Sequence, residues 1–176
     1  MVRAETSSDH PTLLRFACTE YKELDLYRKT ATGFTLDANP TIAALLIRCG
    51  ADVNAPGDSD AKTPVHFAAA LCAGAMAEVS AGRSGAQGKL ESAKAILATL
   101  IRHGAHMDVG DDEGITPVGI LGALWPAVLE GQGEEVRSAR VPPLRCLAAH
   151  AVLANDIDYY DRVPENVRDF VFMHKV

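Results

Sequence analysis

The sequence has no apolar run long enough to cross a bilayer. Its longest, Phe67 to Ala77, falls far short of the roughly 20 residues a spanning helix needs. The N-terminal stretch MVRAETSSDHP has no hydrophobic signal core, so the chain is expected to be cytoplasmic or nuclear and not bound to a membrane. There is no Lys/Arg block, and the net charge is −6, which excludes an extended nucleic-acid surface. Cysteines are few: Cys18, Cys49, Cys72 and Cys146 stand far apart with no paired motif, as expected of reduced thiols.

What is present is ordinary for a folded chain. Hydrophobic residues make up 48% and charged residues 23% of 176 residues, enough for one core-bearing domain. The organisation is repetitive. PTLLRFAC at Pro11–Cys18, KTPVHFAAA at Lys62–Ala70 and ITPVGIL at Ile115–Leu121 each place a Thr before apolar residues at helical spacing. Their threonines, Thr12, Thr63 and Thr116, are 51 and 53 residues apart. A second pattern alternates with the first: LLIRCGADVNA at Leu45–Ala55 and LIRHGAHMDV at Leu100–Val109. In both, an aliphatic helix stops at a glycine, Gly50 or Gly104, where the left-handed conformation that closes a helix is cheap.

These half-patterns resemble the ankyrin repeat. Pro64 suits the first turn of a helix because its missing N–H would be unpaired there. Thr63 is placed to cap that helix, and His66 to bond back to the turn. The repeat of about 33 residues is too short for this spacing, so each unit is expected to carry extra residues between its two helices. These are about Tyr21–Asn39 in the first unit and Cys72–Lys89 in the second. The latter includes SAGRSGAQG at Ser80–Gly88, which reads as a surface loop. A second helix is predicted from about Leu90 to His103. The third unit, from Thr116, has Gly119 where the ring-bearing His would stand, and LWPAVLE at Leu124–Glu130 predicts a short helical segment.

The last stretch, PLRCLAAHAVLANDIDYYDRVPENVRDF at Pro143–Phe170, departs from this pattern. From Leu144 to Ala154 only Arg145 and His150 are polar. Leu144, Leu147, Ala148, Ala151 and Val152 form one helical stripe suited to packing on the stack. Cys146, Ala149 and Leu153 populate the other sides and are left needing cover. The terminal unit of a repeat array needs a polar outer face, so the surplus predicts a docking surface. Asn155 is expected to close this helix. A further helix is expected from Pro164, with Glu165 near its positive end and Val167, Phe170 and Val171 on one side.

Catalytic and metal chemistry find little local support. His103 and His106 flank Gly-Ala, but no Cys pair or Glu completes a tetrahedral set nearby in the sequence. The acidic stretch Asp108, Asp111, Asp112, Glu113 lacks calcium-loop spacing and is expected to be a solvated hairpin tip. No motif joins a Cys to a His for nucleophilic work. The chain is expected to be no enzyme and to hold no metal and no cofactor.

Nearly the whole chain from Pro11 to His174 resembles the C-terminal part of the Fem (feminization) family. The stretches that carry the likeness are PTLLRFA, IRCGADVNA, LIRHGAH and, above all, PLRCLAAHAVLANDIDYYDRVPENVRDFVFMH. The resemblance implies an all-α ankyrin-repeat solenoid over residues 1–140, ended by a two-helix VHL-type box over 141–176. It also implies a substrate-receptor or adaptor role in a cullin-2 ubiquitin ligase. By that likeness the helix at 143–154 would bind elongin B–elongin C through Leu144, Leu147, Ala148 and Val152, with Leu144 as the anchor. The segment at 163–174 would favour cullin-2 through Val163, Pro164, Val167 and Phe170. His150 stands where the family usually has Arg, and Ala148 where a general elongin box has Cys. The family's substrate-holding array would lie outside this sequence, so no degron pocket is assigned. The competing reading is a plain ankyrin scaffold whose terminal helices only cap the stack.

Overall fold

In a computed structural model of the chain, residues 39–56, 60–134, 136, 139 and 142–174 are described. The first helix of the unit opening at Thr12, and nearly all of the 21–39 insertion that follows it, lie outside them. Among the described residues every regular element is helical, so the all-α expectation holds for them.

Helix α1 spans Pro40–Arg48. The Asn39 side chain starts it by accepting the N–H groups of Thr41 and Ile42 at 2.9 and 3.2 Å, two of the donors a helix start leaves unpaired. Gly50, at φ +94°, ends it, and the Ala51 N–H reaches back to the Leu46 carbonyl at 3.0 Å. Helix α2, Pro64–Ser80, and helix α3, Ala86–Arg102, form the central pair. Gly104 closes α3 as Gly50 closes α1, at φ +87°, with Ala105 N–H on the Leu100 carbonyl at 3.0 Å. Both glycine stops are where the sequence puts them.

The extra residues of the second unit do not form a loop. The segment CAGAMAEVS, rich in Ala, continues α2 to Ser80, as its helix propensity favours. The next helix begins at Ala86, four residues before the expected start at Leu90. The expected Gly/Ser loop shrinks to the turn 81–85.

Three short pieces follow: α4, Pro117–Leu121; a 3-10 turn, Gly122–Leu124; and α5, Trp125–Val128. Thr116 Oγ1 caps α4 by accepting the Gly119 N–H at 3.0 Å. The chain ends its described part in α6, Leu144–Ala154, and α7, Glu165–Met173. Asn155 caps the end of α6 as expected, and Asp156 after it takes the left-handed conformation (φ +49°). Ile157 N–H then bonds the Val152 carbonyl at 3.0 Å, while Asn155 Nδ2 donates to the Ala151 carbonyl at 2.8 Å.

Helix α2 packs on α3 and α4, α3 packs on α1, and α6 and α7 pack on each other. The main apolar core includes Ala69, Ile96, Leu97, Leu100, Leu121, Trp125 and Val128. It runs from Ala43 to Val136 and takes in no residue of α6 or α7. Successive turns are laced together by side chains: Asn54 Nδ2 donates to the Gly104 carbonyl at 3.0 Å, and Asn54 Oδ1 accepts the His106 N–H at 2.8 Å. His66 does the same from a helix start. Its Nδ1 accepts the Thr63 N–H at 3.1 Å, and its Nε2–H donates to the Ile115 carbonyl at 3.1 Å.

The acidic stretch is not uniformly solvated. Asp111 is buried, and its Oδ1 accepts the N–H groups of Glu113 and Ile115 at 3.0 and 2.9 Å. Lys62 Nζ lies 3.5 Å from its other oxygen. Local backbone donors draw the carboxylate inward, as Asp commonly does in turns.

Candidate functional site

Pro143 sets the start of α6. Its carbonyl accepts the N–H groups of Cys146 and Leu147 at 2.9 and 3.1 Å. From there the helical phase decides which face is dry. Cys146 and Ala149 point inward and are buried, whereas Leu144 is 82% and Leu147 46% exposed. Ala148 and Ala151 are also exposed, and Val152 is half-buried. This reverses the expected packing. The leucine stripe meant for the stack faces outward, and the small side chains Cys146 and Ala149 make the close approach.

Helix α7 lies against α6, and a groove of ≈ 420 Å³ runs between them. Ala148 and Val152 line it from one side, Val167 and Phe170 from the other. Half of the eight residues singled out in the sequence therefore share one cavity. Leu144 and Leu147 are outside it, on the open face of α6. Val163 is half-buried and Pro164 exposed at the start of α7, where the Pro164 carbonyl accepts the Val167 and Arg168 N–H groups at 3.0 and 3.1 Å. Phe170 is also committed inward. Its ring centroid lies 5.5 Å from that of His106 and 4.7 Å from that of His174.

Behind this face is a polar cluster. His106 and Asp108 come from the turn after α3, Cys146 from α6 and His174 from the end of α7. Cys146 Sγ is 3.2 Å from His106 Nδ1, and His106 Nδ1 is 3.3 Å from His174 Nε2. Asp108 Oδ2 is 3.7 Å from His174 Nε2. Cys146 is 0%, His174 1% and His106 6% exposed. His174 Nδ1–H donates to the Phe170 carbonyl at 2.8 Å, so in the neutral ring Nε2 presents a lone pair to the cluster. His150 donates from Nε2 to Asp108 Oδ2 at 3.0 Å. The other oxygen, Asp108 Oδ1, is buried with no hydrogen-bond partner.

Burial is the largest influence on the protonation of His106 and Cys146. It pushes His106 down to about 4, with the His174 ring adding to the effect. It pushes the Cys146 thiol up to about 11, with the Asp108 carboxylate assisting. Burial likewise raises Cys72, in the main core, to about 12, so neither thiol is an activated nucleophile.

Along the sequence His106 pairs with His103, with no Cys pair or Glu nearby to complete a tetrahedral set. In the fold His103 turns away: it is exposed, and its Nδ1 bonds the Thr99 carbonyl at 2.8 Å. The neighbours His106 does acquire lie 40 and 68 residues along the chain. One signal was available, since Cys146 and His150 are four residues apart and share a face of an otherwise apolar helix. His150, which stands where the family usually has Arg, bonds Asp108 of this network.

No family model matches the chain. Among curated proteins it is 26% identical over 134 residues to fem-1 homolog C of Xenopus laevis. It is 29% identical over 139 residues to the human fem-1 homolog C, and 31% identical over 134 residues to fem-1 homolog A of Danio rerio. Each match covers 76% of this chain but only 17–18% of the relative, so the chain spans less than a fifth of the length of the relatives it matches. The chain is thus similar over three quarters of its residues to several proteins of the Fem family.

Proposed function

We propose that the chain is an adaptor module of a cullin-2 ubiquitin ligase, an ankyrin-type helical stack ended by a VHL-type box. In this reading α6 docks elongin B–elongin C through Leu144, Leu147, Ala148 and Val152. The start and inner face of α7, through Val163, Pro164, Val167 and Phe170, select cullin-2. The chain performs no bond chemistry. It positions a recruited protein for ubiquitin transfer, in the cytoplasm or nucleus. Among the described residues no helix is long and apolar enough to cross a membrane.

The observation that carries this reading is the exposure of Leu144, 82% accessible in the first turn of α6 with Leu147 one turn along. Leaving these two aliphatic side chains partly in water on one short helix forgoes roughly 1.5–3 kcal/mol of burial at Leu144 and about half that at Leu147. A partner pocket recovers that energy. The choice of elongin B–elongin C as that partner rests on what the resemblance to the Fem family implies, and a cap would instead turn a polar face outward.

Co-purification with elongin B–elongin C tests it. The complex should form at micromolar concentration, and Leu144→Ala should weaken it by about 2 kcal/mol, roughly 30-fold. Failure of the unaltered chain to bind would remove the adaptor reading and leave the scaffold one. Replacing Val163 and Pro164 should reduce cullin-2 recruitment while sparing elongin binding.

A further inference from the structure

The cluster behind the docking face is built from four Lewis-base atoms on three separate segments. One ring nitrogen each of His106 and His174, one carboxylate oxygen of Asp108 and Sγ of Cys146 all lie within 4.8 Å of one another. A tetrahedral zinc ion, with Zn–N and Zn–O near 2.0–2.1 Å and Zn–S near 2.3 Å, spaces its ligand atoms roughly 3.3–3.6 Å apart. The Cys146–His106, His106–His174 and His174–Asp108 separations are 3.2, 3.3 and 3.7 Å. The geometry points to a structural zinc site at His106, Asp108, Cys146 and His174.

Three observations support a cation over a plain hydrogen-bond network. First, the ring of His174 is oriented as a ligand. Its Nδ1–H is held by the Phe170 carbonyl, the backbone contact that commonly fixes the tautomer of a metal-binding histidine. His150 orients the carboxylate of Asp108 in the same outer role. Second, hydrogen bonds leave the set incomplete, because Asp108 Oδ1 is buried without a partner beside the other candidate ligands. A dication at the Asp108 carboxylate offsets that unpaired charge, and its binding releases the Cys146 thiol proton to solvent. Third, the two-helix unit has no share in the main apolar core. An ion joining the turn after α3 to α6 and to the end of α7 would rivet that unit to the rest of the fold. The donor set of two nitrogens, one sulfur and one oxygen suits zinc and disfavours magnesium or calcium. Four protein ligands leave no open position, so the site is structural and not hydrolytic.

This site does not depend on the adaptor reading, since metal content is measured with no elongin or cullin present. The full chain, purified from zinc-supplemented medium and passed through a weak chelator, should carry about one zinc per chain by elemental analysis. His103→Ala should retain it. Cys146→Ser and His174→Ala should each fall to about a fifth of that content or less. Cobalt(II) added to the stripped chain should give the visible bands of a tetrahedral site with a near-ultraviolet sulfur-to-metal band, and Cys146→Ser should abolish the latter. If Cys146→Ser loses its helical circular dichroism, Asp108→Asn keeps the shape and should bind zinc at least about tenfold more weakly. A wild-type chain without zinc, a cobalt spectrum with no sulfur band, or affinity unaltered by Asp108→Asn overturns the proposal.

Discussion

At the scale of single residues, His66 shows how a local choice becomes a dependence on pH. Both of its ring nitrogens are used, Nδ1 as acceptor from Thr63 and Nε2–H as donor to Ile115, so a second ring proton would break the first bond. Burial lowers its pKa below the usual histidine range, although the Ile115 carbonyl and the Asp111 carboxylate act the other way and Lys62 acts with burial. The unfolded chain therefore binds this proton at a higher pH than the folded one. Its contribution to stability is present above about pH 6.5 and is lost as the pH falls from there toward the folded value. His66→Asn can still accept the Thr63 N–H but cannot titrate. In urea unfolding at a series of pH values, it should be less stable at pH 7.5, by about 1–3 kcal/mol for the lost Ile115 bond. Its stability should also fall less steeply between pH 6.5 and 5. The buried His106 titrates in both proteins and cancels from the difference. Equal slopes would show that His66 binds its proton alike in the folded and unfolded chain and carries none of the pH dependence.

At the scale of elements, the sequence reads well wherever a signal is local. The glycine stops at Gly50 and Gly104, the Thr-Pro starts at Thr63 and Thr116 and the Pro143 and Pro164 entries all depend on residues within one turn of each other, and all stand in the structure. Length is not legible where two local signals compete. The Ala-rich run to Ser80 outweighs the loop character of the Gly and Ser that follow, so α2 and α3 extend into the expected insertion. Facing was misread at α6 because an apolar helix has no contrast between sides. Its inward face is chosen by distant polar partners of Cys146 and His150, which no window along the chain contains. Exposure also separates stability from docking. Ile96→Ala, at a fully buried position of α3, should cost about 2–5 kcal/mol in denaturant unfolding. Leu147→Ala, half-exposed on α6, should change stability by no more than about 0.5 kcal/mol. A large loss of stability from Leu147→Ala would mean that this face is already covered within the chain.

At the scale of the whole molecule, the described residues divide into two bodies of unequal cohesion. The stack from α1 to α5 shares one apolar core, and such a body opens only near the global unfolding free energy. Helices α6 and α7 are short, expose Leu144, Leu147, Val167 and Phe172, and meet the stack through a polar cluster at the turn after α3. Hydrophobic burial holds them weakly, so their attachment depends on what satisfies His106, Asp108, Cys146 and His174. Native-state hydrogen exchange should therefore show two classes of amide. Those of α2 and α3 should be protected to a similar degree with and without a strong chelator. Those of α6 and α7 should exchange faster than the stack in chelator and slow by at least about tenfold when one equivalent of zinc is restored. Ile157, whose N–H closes α6 on the Val152 carbonyl, is a suitable reporter because its bond is internal to the two-helix unit and far in sequence from every ligand but Cys146. If all helices respond to zinc together, the ion stabilises a single cooperative fold. If only α6 and α7 respond, the docking face is a separately anchored unit whose readiness to receive a partner is set by the metal behind it.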